Sequence, residues 1–203
     1  MFQIKEIPIT KDMIEWATRM SDNMGVLKGS FTKGKGNLYG AMGEIMVSEY
    51  LSRPIESTYD YDIVLSDGSK IDVKTKRTKV RPKLNYDCSI SNWNTKQQCD
   101  YYVFCRVKTD LSVGWILGYY DKVKYMEDSI FLKKGTVDES NGYSVRSDCY
   151  NLKIDLLSPI EKLLHNEIID QPKKYSSLEL EKKELEEQIK IFKKYSYEGD
   201  KKA

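Results

Sequence analysis

The stretch Tyr61-Asp62-Ile63-Val64-Leu65-Ser66-Asp67-Gly68-Ser69-Lys70-Ile71-Asp72-Val73-Lys74 decides how this chain is read. An apolar run meets a Ser-Asp-Gly turn signal and a second, alternating run follows, which is the sequence form of a β-hairpin. On the second strand a period of two sends Ile71 and Val73 to one face and Asp72, Lys74 and Lys76 to the other. Residues directly opposite in an antiparallel pair share a face, so the turn decides whether Asp62 meets Asp72. A tight Asp67-Gly68 turn would set Asp62 against Val73. A longer Ser66-Asp67-Gly68 loop, with Gly68 left-handed in a bulge, pairs Leu65 with Ser69 and Asp62 with Asp72. The longer loop is the expected form. Asp60 lies on the same strand face as Asp62 and is the alternative acid.

Upstream, Asn37 to Leu51 reads as a helix with Leu38, Ala41, Met42, Ile45, Val47 and Tyr50 as its apolar positions. Glu44 lies among them, beside Gly40 and Gly43, and small residues let a helix press closely on a sheet. An earlier helix is expected over 11–24, with Thr10 as its cap. A Gly/Lys-rich loop, from Lys28 to Gly36, joins the two. Downstream, Leu84 to Ser91, Tyr101 to Val107 and Val113 to Tyr119 alternate as strands, with a turn at Thr109-Asp110-Leu111-Ser112. Asp121 to Glu127 reads as a short helix, Gly135 to Tyr143 as a loop, Leu152 to Leu156 as an edge strand and 159–169 as helix. The expected fold is therefore α/β, a central mixed sheet of about five or six strands flanked by helices. Residues 1–170 would form this domain. The remainder, 171–203, reads as an extension whose charged helix, over 176–195, carries Leu178, Leu185, Ile189 and Phe192 on one stripe. That stripe is too short for a coiled coil and suits docking or a homodimer contact.

Composition narrows the chemistry. A chain of 203 residues with 40% hydrophobic content can bury a real core. Net charge is only +2, so attraction to a polyanion must come from local placement. The single histidine, His165, sits in a helix-like stretch far from the acids, which excludes a Ser-His-Asp or Cys-His hydrolase within this chain. Cys88, Cys99, Cys105 and Cys149 form no C-x-x-C pair, so free thiols rather than a zinc site are expected. No P-loop pattern is present. No apolar run approaches membrane-spanning length and no leader opens the chain, so a cytoplasmic protein with no membrane partner is expected. The chemistry is left to carboxylates, lysines and a borrowed metal.

A helix Glu, a strand Asp, and then Asp-x-Lys on the next strand resembles the PD-(D/E)XK, or restriction-endonuclease-like, nuclease superfamily. The resemblance covers roughly 37–120 and implies an αβββαβ core reaching to about residue 157. It implies catalytic roles for Asp62, Asp72, Lys74 and Glu44. Asp62, Asp72, Glu44 and the carbonyl of Val73 would hold Mg2+, or Mn2+ in its place. Tyr61 stands where the signature has Pro. Taken singly, an Asp-x-Lys tripeptide also fits the solvent face of an edge hairpin with weak surface pairs. Between Lys70 and Lys83 the basic residues Lys74, Lys76, Arg77, Lys79 and Arg81 surround Asp72 as the only acid, which suits a phosphate backbone. Lys33 and Lys35 are a second candidate contact. Asn92 to Gln98, a polar segment with one aromatic, reads as a connector, with contact to bases or orientation of the attacking water as the alternative. The expected function is a metal-dependent deoxyribonuclease, an endonuclease acting on DNA. The alternative is a non-catalytic nucleic-acid-binding or assembly protein that keeps the fold.

Overall fold

The computed structural model describes residues 4–24, 36–56, 58–138 and 142–168. Met1–Leu164 forms one compact unit, and His165–Ala203 clusters separately. In chain order the elements are β1 (Lys5–Pro8), α1 (Lys11–Met24), α2 (Asn37–Leu51), β2 (Ile63–Val64), β3 (Lys70–Thr78), β4 (Asp87–Ser91), β5 (Tyr101–Lys108), β6 (Val113–Asp121), α3 (Lys122–Asp128), β7 (Ile130–Leu132), β8 (Val137–Asp138), β9 (Tyr143–Ser144), β10 (Cys149–Lys153) and α4 (Glu161–Ile168). The fold is mixed α/β. A five-stranded sheet in the order β1-β6-β5-β3-β2 is antiparallel except for the parallel β3–β5 pair.

Both faces of this sheet are covered. Val103, Cys105 and Val107 of β5 turn with Ile71 and Val73 of β3 toward α1 and α2. Tyr102 and Phe104, one residue out of step, join Trp115, Leu117 and Tyr125 in a second core. Helix α2 is buried almost all round, with Ala41, Met42, Ile45, Met46, Val47 and Leu51 inside. Its closest approach to the sheet is at Gly43, where a Cβ would overlap Thr75 Oγ1 and stand 3.0 Å from Thr75 Cβ. Only glycine permits that approach. Thr10 Oγ1 caps α1 by accepting from Met13 N–H at 3.2 Å, as its sequence predicts.

Several strands fall elsewhere than the sequence suggests. The alternation over Leu84 to Ser91 does mark a strand, but it begins at Asp87 and joins a separate three-stranded sheet, β4-β10-β7. The buried Cys88 and Ile90 report one covered face and say nothing of which sheet covers it. The expected edge strand at Leu152 to Leu156 is instead β10, the central strand of that second sheet, and it gives way to a turn at Ile154. The loop over Gly135 to Tyr143 contains the strands of a small hairpin, β8 and β9. Strand β1 has only KEIP to announce it and takes its register from β6. Lys28, Lys33, Lys35 and the expected helix over 176–195 lie outside the described residues, and His165 falls within α4. Among the described residues no helix is long and apolar enough to cross a membrane.

Candidate active site at the hairpin

The turn between β2 and β3 takes the longer form. Leu65 N–H donates to the Ser69 carbonyl at 2.8 Å, Gly68 N–H donates to the Leu65 carbonyl at 3.0 Å, and Gly68 has φ 86°. Asp67 Oδ1 accepts from Ser69 N–H at 2.9 Å and stiffens the loop. Ile63 consequently pairs with Ile71 and Val64 with Lys70, and the next step sets Asp62 beside Asp72. Strand β2 ends there. The Asp62 side chain takes over the flank of β3, its Oδ2 accepting from Val73 N–H at 2.7 Å while Asp62 N–H donates to the Ile71 carbonyl at 2.8 Å.

Asp72 is 3% exposed, although the alternation of β3 would suit a solvent face. Lys74 lies two residues on, with Nζ 2.5 Å from Asp72 Oδ2 in an ion pair. Lys74 Nζ also donates to Gln97 Oε1 at 2.8 Å, and Gln97 Nε2 donates to the Tyr59 carbonyl at 2.8 Å. The ammonium is thereby fixed from two sides.

Glu44 comes from α2 and completes an acidic cluster whose members repel one another. Burial pushes Glu44 up to about 6, with the Asp72 charge adding to the rise and Lys74 opposing it. Burial pushes Asp62 up to about 8, reinforced by Glu44 and Asp72 and opposed by Val73 N–H and Lys74. Asp72 is raised by burial too, against the pull of Lys74 and of a hydrogen bond from the Asp62 carboxyl. Three carboxylates thus share one lysine at close range, and their protons belong to the cluster rather than to single residues.

The donor set is hard oxygen, which suits Mg2+ or Mn2+ and not a soft metal. Val73 N–H faces Asp62, and the pleat sends the carbonyl of the same residue to the same side, so Val73 can add a main-chain oxygen. The raised proton affinities of the crowded carboxyls are what a cation would relieve. Among the described residues, however, no three His, Cys, Asp or Glu side chains are grouped so that they could together hold a metal ion. The chemistry of the ligands fits a divalent cation, whose shell water and substrate oxygen would have to complete.

The rest of the basic run divides. Lys76 shares the Asp72 face and donates to Ser89 Oγ at 2.7 Å. Arg77 alternates to the opposite face, Lys79 is exposed beyond the strand, and Arg81 is held 2.8 Å from Glu6 Oε2 beside β1. Asp60 does not join the acids, because its Oδ1 accepts from Gln98 N–H at 3.1 Å. Two residues of the site were not legible in advance. Gln97 lies in the segment read as a connector, and Lys122, whose Nζ donates to the Gln97 carbonyl, also acts electrostatically on Asp72. The Gln97-Gln98 pair just before β5 is the only local sign of either. Neither a scan against models of protein families nor a search of curated proteins finds a match to this chain.

Proposed function

We propose that this chain is a metal-dependent deoxyribonuclease, an endonuclease of the PD-(D/E)XK type, hydrolysing phosphodiester bonds in DNA. The observation that carries the reading is the hairpin register, which brings Asp62 beside Asp72 and Lys74 while α2 brings Glu44 to the same edge. In this reading α2, β2, β3 and the parallel neighbour β5 belong to the family's core. A bound Mg2+ or Mn2+, held by Asp62, Asp72, the Val73 carbonyl and Glu44, would supply Lewis-acid stabilisation of the phosphate. Glu44 and Asp62 must give up protons to become ligands, so their raised affinities make cation binding pH-dependent. Lys74, oriented by Gln97, is placed to donate toward a phosphate oxygen and offset charge that builds during displacement. Thr75, on the α2 face, takes no part.

The Asp72–Lys74 ion pair, and the lack among the described residues of three ligands grouped for a metal, favour a second reading, a nucleic-acid-binding protein that keeps the fold without catalysis. Cleavage of a plasmid and of a single-stranded circular DNA with Mg2+ or Mn2+, beside EDTA and the Asp72→Asn and Lys74→Ala variants, separates the two. Metal-dependent cleavage of either DNA, lost in both folded variants, supports the nuclease. Absent cleavage of both DNAs, or variants that cleave like the parent, refutes it.

A further inference from the structure

The second sheet does not close fully on the first. Between β3 and β5 on one side and β4, β9 and β10 on the other runs a cleft of about 630 Å³ that begins at Lys74. Its wall carries two cations side by side, because the parallel register sets Lys76 opposite Arg106. Lys76 Nζ donates to Ser89 Oγ at 2.7 Å and Arg106 Nη2 to the Asp87 carbonyl at 2.8 Å, so neutral oxygens hold both. Two carboxylates also line the cleft. Asp87 is engaged by Lys153 at 2.7 Å, and Asp138 Oδ2 accepts from Asn151 Nδ2 at 3.3 Å. Arg146 adds a third cation on the far wall, 5.6 Å from the Tyr143 ring centroid. Lys76 keeps its side chain open to solvent, within reach of a ligand entering the cleft.

The Asp87 carboxylate acts on both cations but is shared with Lys153, so the wall carries more positive than negative charge and suits an anion. Lys74 and Lys76 are two residues apart on one strand face, about 6.6 Å along the strand. That interval is close to the step between successive phosphates of an extended nucleic-acid strand. The volume admits one or two nucleotides and excludes a double helix, whose major groove alone is about 12 Å wide. The segment that supplies Gln97 to Lys74 also supplies Asn94 to the cleft, and between β4 and Asn94 it carries Trp93, 73% exposed. Trp93 is not itself part of the cleft wall, but an exposed ring one residue from a lining side chain is what base stacking uses.

We propose that the cleft seats a single unpaired DNA strand, with Lys76 and Arg106 gripping the phosphate next to the one presented to Asp62, Asp72 and Lys74. The substrate class is then single-stranded DNA or an unpaired flap, and continuous duplex is excluded. This rests on the nuclease reading for its chemistry but is tested by binding alone. In EDTA, fluorescence anisotropy would compare a labelled oligothymidylate with a duplex of equal length across a salt series, using the full chain and its Lys76→Gln, Lys76→Arg and Trp93→Ala variants. Expected is roughly tenfold or stronger preference for the single strand, reduced in Trp93→Ala. The salt slope for the strand should fall by about 0.7 in Lys76→Gln and be kept in Lys76→Arg. Equal or tighter duplex binding, or a Lys76→Gln effect that is the same on both ligands, overturns the proposal. Cleavage of single-stranded circular DNA and of plasmid by the parent with Mg2+ is scored separately, so a strand-binding protein that cleaves neither would sink the nuclease reading and leave the cleft assignment standing. A duplex-preferring nuclease would do the reverse.

Discussion

The acidic cluster should make the protein less stable as pH rises, and Asp62 is the residue through which to test this. Its carboxyl is raised from about 3.8 to about 8, chiefly by burial. Between those values the unfolded chain carries an ionised Asp62 while the folded chain keeps the proton. The stability associated with that proton is whole below about 3.8 and is lost as pH climbs through about 8. The limiting slope for one proton is about 1.4 kcal/mol per pH unit. Asp62 sits at a partly open sheet edge, so water and relaxation should reduce the fall between pH 6 and pH 8 to about 1–2 kcal/mol. Glu44, raised to about 6, adds to the decline mainly at the acid end of this window. Lys76 works in the opposite sense, but only above about 8, where its folded and unfolded forms begin to differ.

Urea unfolding followed by tryptophan fluorescence, in EDTA at the two pH values, measures the effect. Asp62→Asn keeps an oxygen for Val73 N–H and removes the titration. It should therefore be more stable than the parent at pH 8 by about 1–2 kcal/mol, with a smaller gap at pH 6. Comparing both proteins at one pH cancels the titrating groups that do not couple to Asp62, leaving Glu44 and Asp72 as the neighbours whose protonation also responds. A parent whose stability is flat or rises over this interval would refute the burial argument, as would an Asn variant weaker than the parent at pH 8. Saturating Mg2+ should return the lost stability to the parent, about 2.7 kcal/mol at a hundredfold excess over Kd, and do little for Asp62→Asn.

Gly43→Ala should destabilise by about 1–2 kcal/mol in urea, the overlap with Thr75 outweighing alanine's better helix propensity, and adding Thr75→Ala should recover at least half of it. Additive effects of those two substitutions would disprove the contact. Gln97→Ala frees the Lys74 ammonium from one of its two partners, so nicking rates should drop roughly tenfold while the circular dichroism spectrum stays unchanged; a rate equal to the parent's removes Gln97 from the site. Tyr125→Phe strips the hydroxyl that serves the carbonyls of Cys88 and Tyr150 from a fully buried ring, and its cost in thermal or urea unfolding should be about 1–3 kcal/mol. An unchanged midpoint would show that α3 is not pinned to β4 and β10 by that hydroxyl.

What the sequence disclosed followed from local rules. The bounds of α1 and α2 are set by a capping threonine and an apolar pattern, and the turn at Ser66-Asp67-Gly68 by a glycine that tolerates positive φ, so all three could be read from neighbours in the chain. The pairing of Asp62 with Asp72 follows from turn length alone. Sheet membership is different in kind. Cys88 and Ile90 alternate in the same way whether their partner is β5 or β10, and the choice is made by packing between residues some sixty positions apart. For the same reason Gln97 and Lys122 escaped notice, since each reaches the site from a segment whose own composition is that of an ordinary polar connection. The basic run shows the opposite error. Seven cations in a row along the chain look like one surface, yet a strand deals alternate residues to opposite faces and Arg81 is claimed by Glu6.

Packing gives no reason for the acids to be where they are. A structural ion pair at the edge of β3 would need one carboxylate for Lys74, and Asp72 already fills that place at 2.5 Å. Glu44 and Asp62 add negative charge to a buried neighbourhood that holds no matching cation close by apart from Lys122. Both could be replaced by apolar or amide side chains of similar size, and such replacements of buried charge are often neutral or stabilising. A cluster that crowds buried carboxyls and opens onto a cationic cleft is better explained by a ligand than by the fold. The ligand that answers both features has two parts, a hard cation for the carboxylates and a phosphodiester for Lys74, Lys76 and Arg106. Either part alone leaves charge of one sign unmet, and for that reason cation and nucleic acid should each raise the other's affinity.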